Sequence, residues 1–254
     1  MQTVIDVSRL RQNIRRIRAR TRNEYCAVVK SDAYGHGIAS ACYIEPLVDC
    51  FMVATAQEAV ELLSIVRKPV LTLGGDIAPY TRMYEPQIIP TVYDGAQLDA
   101  IVGAGYKRFS VEIDSGMNRL GADENKLCGI VEKCKELNVK PWSVYSHLYG
   151  GISSAGAQAA EFERLTANPL LQSKRHLYCS CALDLNGYNL FDMTRGGIAM
   201  YGYHSGTSVC MKTRAKIVAL NYVAKGEHVG YGDYVLARDS LIATVRCGYA
   251  DGLR

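Results

Sequence analysis

The sequence predicts an α/β chain, with a (β/α)8 barrel over residues 1–206 and the opening of a β domain over 207–254. Three observations carry this. Eight short apolar runs alternate with amphipathic stretches: Cys26–Val29, Cys50–Ala54, Pro69–Leu73, Ile88–Val92, Arg108–Ile113, Trp142–His147, Leu177–Cys181 and Thr194–Tyr201. Strands that are apolar on both faces and linked by helices pair in parallel beneath helical cover, and eight such units in roughly 200 residues form a compact barrel of the TIM type. After about residue 206 the pattern changes, with Ala215–Leu220, Glu227–Tyr234 and Ser240–Arg246 reading as strands joined by glycine-containing turns without helices.

The connecting helices carry their own signals. Thr55 stands three residues before Glu58, a capping box that opens a helix running to about Ile65. Leu127, Ile130, Val131, Cys134 and Leu137 fall on one helical stripe. The first helix, about Ser8 to Arg20, is rich in arginine, but Leu10, Ile14 and Ile17 give it a buried stripe and no stacking aromatics accompany the basic residues. It reads as a solvated basic face rather than a nucleic-acid surface.

The chain has 254 residues, of which 48% are hydrophobic and 21% charged, enough to bury a sizeable core and too apolar for disorder. A net charge of +4 does not by itself imply a polyanionic partner. The nine cysteines (26, 42, 50, 128, 134, 179, 181, 210 and 247) show no CxxC pair or metal-ligand spacing, and reduced core thiols with no metal are expected. With neither a signal-peptide pattern nor an uncharged run of about 18 residues, the expectation is a soluble, cytoplasmic protein with no membrane partner.

In such a barrel, chemistry gathers where the strands end. The first predicted strand runs into Val29-Lys30-Ser31-Asp32-Ala33-Tyr34-Gly35-His36-Gly37, placing a lysine directly after four apolar residues, where it is either a buried ion-pair partner or a nucleophile. The eighth ends in Arg195-Gly196-Gly197-Ile198, glycines that let backbone N–H groups approach an anion.

The run Ala27–Gly37 resembles the signature of the alanine racemases, barrel enzymes that use pyridoxal 5'-phosphate (PLP). Four more blocks agree in order: Ile113–Gly121, Tyr145-Ser146-His147, Phe191–Gly202, and Val229–Gly232 with Gly248–Gly252. The resemblance implies a racemase acting on a small amino acid, L- and D-alanine by default, in a homodimer with shared sites. Lys30 matches the lysine that bonds covalently to PLP and serves as one of two acid/base groups at the substrate Cα. Tyr231 matches the tyrosine that acts from the opposite face, supplied across the dimer interface. His147 and Arg195 match the network supporting that tyrosine.

Arg195 also matches the residue facing the pyridine nitrogen, and His176 the histidine that orients it. Tyr34, Ser180, Gly197 and Ile198 match the phosphate contacts, whereas Tyr178 and Cys179 read as packing. Arg119 matches an arginine near the cofactor's phenolic oxygen and the substrate carboxylate. Many relatives hold that arginine with a carbamylated lysine, and here the position is Glu112, which either supplies the missing anion or is a solvated strand residue. The family's β domain continues past the Gly-Tyr-Ala-Asp-Gly block with residues that narrow the substrate entrance. No match to them is present, so a serine or broad-specificity racemase stays open beside alanine, as does a barrel that binds PLP without turnover.

Overall fold

The computed structural model describes residues 1–150, 152–184 and 191–253. Two compact units emerge. One comprises Val7–Cys210, and the other joins Met1–Asp6 to Met211–Arg254.

The opening strand β1 (Gln2–Ile5) belongs to the smaller unit. The larger unit is the barrel, with strands β2 (Glu24–Val28), β3 (Cys50–Val53), β4 (Val70–Thr72), β5 (Ile88–Ile89), β6 (Thr91–Val92), β7 (Ser110–Glu112), β8 (Ser143–Tyr145), β9 (Lys174–His176) and β10 (Met193–Gly196). All pairings within it are parallel: β10-β2-β3-β4-β5 form one run and β6-β7-β8-β9 another. Pro90 is the break between them; it has no N–H for the ladder, but its carbonyl still accepts from Ser110. The ring closes where the Asp192 amide donates to the Arg175 carbonyl and the Arg195 amide to the Tyr178 carbonyl. Eight strands are thus present, one of them interrupted.

The seventh strand lies earlier than the sequence predicts, at Lys174–His176 rather than Leu177–Cys181. Its charged residues are accommodated by tertiary partners: Lys174 pairs with Glu24 at 2.5 Å and sits 4.4 Å over the Trp142 ring, and Arg175 lies 5.2 Å over Phe191. Leu177 and Tyr178 are buried past the end of that strand. The eighth strand stops at Gly196, and the rest of its predicted length is turn.

The first helix spans Val7–Thr21 and buries Leu10, Ile14 and Ile17 as predicted. Its basic face is less solvated than the sequence suggests. Arg9 donates to the Val209 carbonyl, Arg16 to that of Gly206, and Arg18 to the Asp49 carboxylate. Asn13, fully buried on the same helix, donates to Met200 and Ser208 carbonyls and accepts from the Ser208 amide. The helix thereby anchors the segment that follows β10.

In the smaller unit, β1 pairs antiparallel with β11 (Met211–Arg214), and β12 (Ile217–Val223) pairs antiparallel with β13 (Ser240–Val245). The predicted strand Glu227–Tyr234 is reduced to a single bridge, His228 to Val235. Leu220, Tyr222 and Leu241 are exposed, as expected for ribbons too thin to enclose a core. Among the described residues no helix is long and apolar enough to cross a membrane, and no group of three or more His, Cys, Asp or Glu side chains could hold a metal.

Candidate active site

A cavity of about 180 Å³ opens at the C-terminal ends of the barrel strands, lined among others by Lys30, Tyr34, Arg119, His147, Ser180, Arg195, Gly197 and Ile198. Seven residues from four of the sequence blocks, with Ser180 from outside them, thus share one wall. Met52, Leu73 and Cys179 also line it. Cys179 therefore faces the site rather than only packing beside it.

Lys30 enters from an unusual backbone. Ser31, Asp32, Ala33 and Tyr34, none of them glycine, all have φ between 52° and 55°. The left-handed region costs an L-residue roughly 1–2 kcal/mol, so the turn must be held from outside. Glu58 of the predicted capping box does part of this. Its Oε2 accepts from the amides of Ala54 and Thr55, while its Oε1 accepts from the Ser31 amide at 2.7 Å. Asp32 Oδ1 accepts from the Ile38 amide, and the Ala33 amide donates to the Val29 carbonyl. Glu58 is a site-building residue whose capping half is legible in sequence and whose contact beside Lys30 is not.

Arg195 projects from β10 and is 2% exposed. Its Nη1 donates to His176 Nδ1 at 2.8 Å and to the His176 carbonyl, and its Nη2 donates to the carbonyls of Ser146 and Leu177. Nη2 also lies 3.3 Å from His147 Nδ1, and the guanidinium sits 5.2 Å over the Tyr145 ring. No carboxylate is among these hydrogen-bond partners, so the charge is held by carbonyl dipoles, neutral rings and a π face. Because a guanidinium only donates, both histidines accept through Nδ1 and carry their hydrogen on Nε2. His176 passes it to Ser143 Oγ at 3.1 Å. His176 itself is fully buried behind Arg195 and does not line the cavity, so its place is beneath the arginine rather than against a cofactor.

Both rings are held neutral. Burial, then the charges of Arg195, Arg119 and Lys30, push His147 down to about 3, and burial with Arg195 drives His176 well below the usual imidazole range. In the unfolded chain both titrate near 6.5. Between those values only the unfolded state takes up these protons, so their contribution is full above about pH 6.5 and is lost as the pH falls toward 3. Glu112, raised by burial, works in the opposite direction. With His147 and His176, joined by His36, which burial also lowers, against one raised carboxyl, denaturant unfolding of the cofactor-free protein is expected to show stability lower at pH 4.5 than at pH 7.5 by on the order of 2 kcal/mol. His147→Asn is expected to shrink that difference.

At the end of β10 the backbone is sterically closed on one side. A Cβ on Gly196 would fall 1.6 Å from the Tyr25 hydroxyl, and one on Gly197 would stand 3.1 Å from the Tyr34 hydroxyl. No described residue accepts from the backbone N–H of Gly197 or Ile198. Ser180 Oγ accepts from the Ala199 amide at 3.0 Å, leaving its own hydrogen to donate. Two hydroxyls and two amides therefore gather around a space that a side chain at residue 197 would begin to fill. That donor set suits a phosphate dianion.

Arg119 is exposed on the loop after β7. Asp114 Oδ1 organises the loop by accepting from the amides of Gly116 and Asn118. Glu112 is 3% exposed, which rules out the solvated reading. Its Oε2 hydrogen-bonds the Tyr145 hydroxyl at 3.2 Å and lies 2.7 Å from where a Cβ on Gly74 would stand. It acts on Arg119 and Arg195 only through space. Tyr231 lies in the smaller unit, its side chain fully exposed.

The family model described as alanine racemase, N-terminal domain, matches residues 5–205, and that for the alanine racemase C-terminal domain matches 210–254. The alanine racemase of Sorangium cellulosum is 29% identical over 282 residues, covering 98% of this chain and 74% of that protein. That of Vibrio parahaemolyticus is 32% identical over 272 residues, covering 98% and 75%. Among solved structures, the alanine racemase from Bartonella henselae with covalently bound pyridoxal phosphate has a TM-score of 0.87 at 27% identity, over 98% of this chain and 76% of that one. With both domain models matched in order, and a lysine, a caged arginine and a phosphate-shaped donor set meeting at the mouth of one barrel, the chain belongs to the alanine racemase family.

Proposed function

We propose that the chain is a PLP-dependent amino-acid racemase that interconverts L- and D-alanine. The observation that carries this is the convergence of Lys30, Arg195, Arg119 and the Tyr34–Ser180–Gly197 donor set on one cavity. Tyr34 and Ser180 hydroxyls with the Gly197 and Ile198 amides would hold the phosphate, and Lys30 would attach covalently. PLP, when bound, withdraws electrons from the substrate Cα–H bond and so acidifies it.

Lys30 Nζ takes that proton or returns it on one face. With both Nη groups committed to His176, Ser146 and Leu177, Arg195 would have its Nε–H to offer the ring nitrogen, and it cannot give up its own proton. The ring would then stay unprotonated and its electron withdrawal moderate, which favours return of the proton to Cα. Arg119, on a loop at the same cavity, offers a cation for the substrate carboxylate. Inversion needs a second carrier on the opposite face. Tyr231 fills that role by its place in the matched sequence block, and its exposed hydroxyl is available to a second copy of the chain in a homodimer.

The test is to incubate the purified, PLP-loaded protein with L-alanine and, separately, L-serine in D2O, following loss of the Cα proton and the chirality of the products. D-alanine with deuterium at Cα is expected. PLP binding without exchange on either substrate overturns the racemase reading in favour of a carrier, and faster inversion of serine reassigns the substrate.

A further inference from the structure

His36 ends the left-handed turn and has no part in the chemistry above. It is 4% exposed, and its Nδ1 lies 3.2 Å from the Tyr34 carbonyl oxygen. A carbonyl only accepts, so Nδ1 carries the hydrogen and Nε2 presents a bare lone pair. That Nε2 is buried with no hydrogen-bond partner among the described residues. Burial also keeps the ring neutral by lowering its pKa. A buried polar atom left unpaired is destabilising, and this one lies beside four strained residues. Local strain of this kind persists where the surrounding structure imposes it and clusters at functional sites.

The ring is one end of an aromatic column. His36 and Tyr201 pack with centroids 4.4 Å apart and planes tilted by 33°, Tyr201 and Tyr34 with centroids 5.1 Å apart and a tilt of 40°. The Tyr201 hydroxyl donates to the Val28 carbonyl at 3.0 Å, tying the column to the strand that delivers Lys30. The His36 amide donates to the Ala33 carbonyl and the Gly37 amide to that of Asp32, so the turn and the column share a base. Only an imidazole supplies both a flat ring for Tyr201 and a donor at the δ position for the Tyr34 carbonyl; phenylalanine keeps the first and asparagine the second.

We propose that His36 is a positioning residue: through the Tyr34 carbonyl and the Tyr201 ring it holds the left-handed turn, and so sets the Tyr34 hydroxyl beside Gly197 where phosphate is to be bound. This rests on the PLP reading above. If His36 works through Tyr34, its effect on cofactor affinity must disappear once the Tyr34 hydroxyl is gone, which general destabilisation would not do.

The experiment is a double-mutant cycle on PLP affinity, measured by absorbance titration of the cofactor-free protein. His36→Phe is expected to raise Kd about tenfold, the size of one lost hydrogen bond. In the Tyr34→Phe background the same change is expected to raise it less than about twofold. An unchanged Kd in H36F, or an undiminished loss in the Tyr34→Phe background, overturns the proposal. Should H36F fail to fold, Tyr201→Phe, which cuts the middle ring's tie to the Val28 carbonyl, tests the column under the same two criteria. If the unmodified chain binds no PLP, the functional reading fails instead. Amide exchange at Ala33 and Gly37 then decides for His36, acceleration of about tenfold in H36F supporting it and unchanged exchange overturning it.

Discussion

Lys30→Ala is expected to leave a folded barrel that can no longer bond PLP covalently and that racemises alanine at least about a thousandfold more slowly. The two effects have different origins. Covalent attachment needs a primary amine at this position, and among the described residues no other lysine lines the cavity. Proton transfer at Cα needs a group that can both take and give a proton on that face. The other positive charges that line the cavity belong to arginines, Arg119 and Arg195, which cannot give theirs up. Stability should change little, because residue 30 is only partly buried and the strained turn behind it is held by Glu58, Asp32 and Ala33 rather than by the lysine side chain. A change under about 1 kcal/mol is expected for such a truncation. The absorbance of lysine-bound PLP, an unfolding curve and a chiral assay check the three parts. Retention of the lysine-bound absorbance would mean that another residue holds the cofactor.

Why Lys30 was legible in the sequence while the backbone that presents it was not is a matter of what each signal encodes. A charged residue after Cys26-Ala27-Val28-Val29 interrupts an apolar run, and interruption is visible in one dimension. A left-handed path through Ser31–Tyr34 would normally be announced by glycine. Here glycine comes only afterwards, at Gly35 and Gly37, because Glu58 and the His36 column impose the conformation from outside. Strands β2, β3 and β4 are legible because most of their residues are apolar on both faces. Strand β9 is not, since the Glu24, Trp142 and Phe191 contacts that accommodate Lys174 and Arg175 come from distant parts of the chain. The pairing of β1 with β11 spans some two hundred residues and leaves no periodic trace. Glu112 shows the limit from the other side: its type and position suggested a partner for Arg119, but only the fold reveals that its hydrogen bond goes to Tyr145.

Tyr231→Phe is expected to separate the two directions of the reaction. Where two carriers serve opposite faces, removing one leaves the other able to take a proton from a single enantiomer. Exchange of the Cα hydrogen in D2O should persist with one enantiomer of alanine and fall by about 10²–10⁴ with the other, while net inversion is lost in both directions. The fold should not register the change. The Tyr231 side chain is fully exposed, and surface substitutions of this kind shift stability by no more than about 0.5 kcal/mol. PLP binding should change little, since Tyr231 is assigned to the substrate Cα and not to the lysine and phosphate contacts that would hold the cofactor. The asymmetry is what distinguishes a proton carrier from a wall. A tyrosine that only shaped the entrance would slow both enantiomers together, through KM more than kcat, whereas a carrier removes one exchange and spares the other. Equal loss with L- and D-alanine would therefore mean that Tyr231 is not the counterpart of Lys30 and that another residue carries the proton on the opposite face.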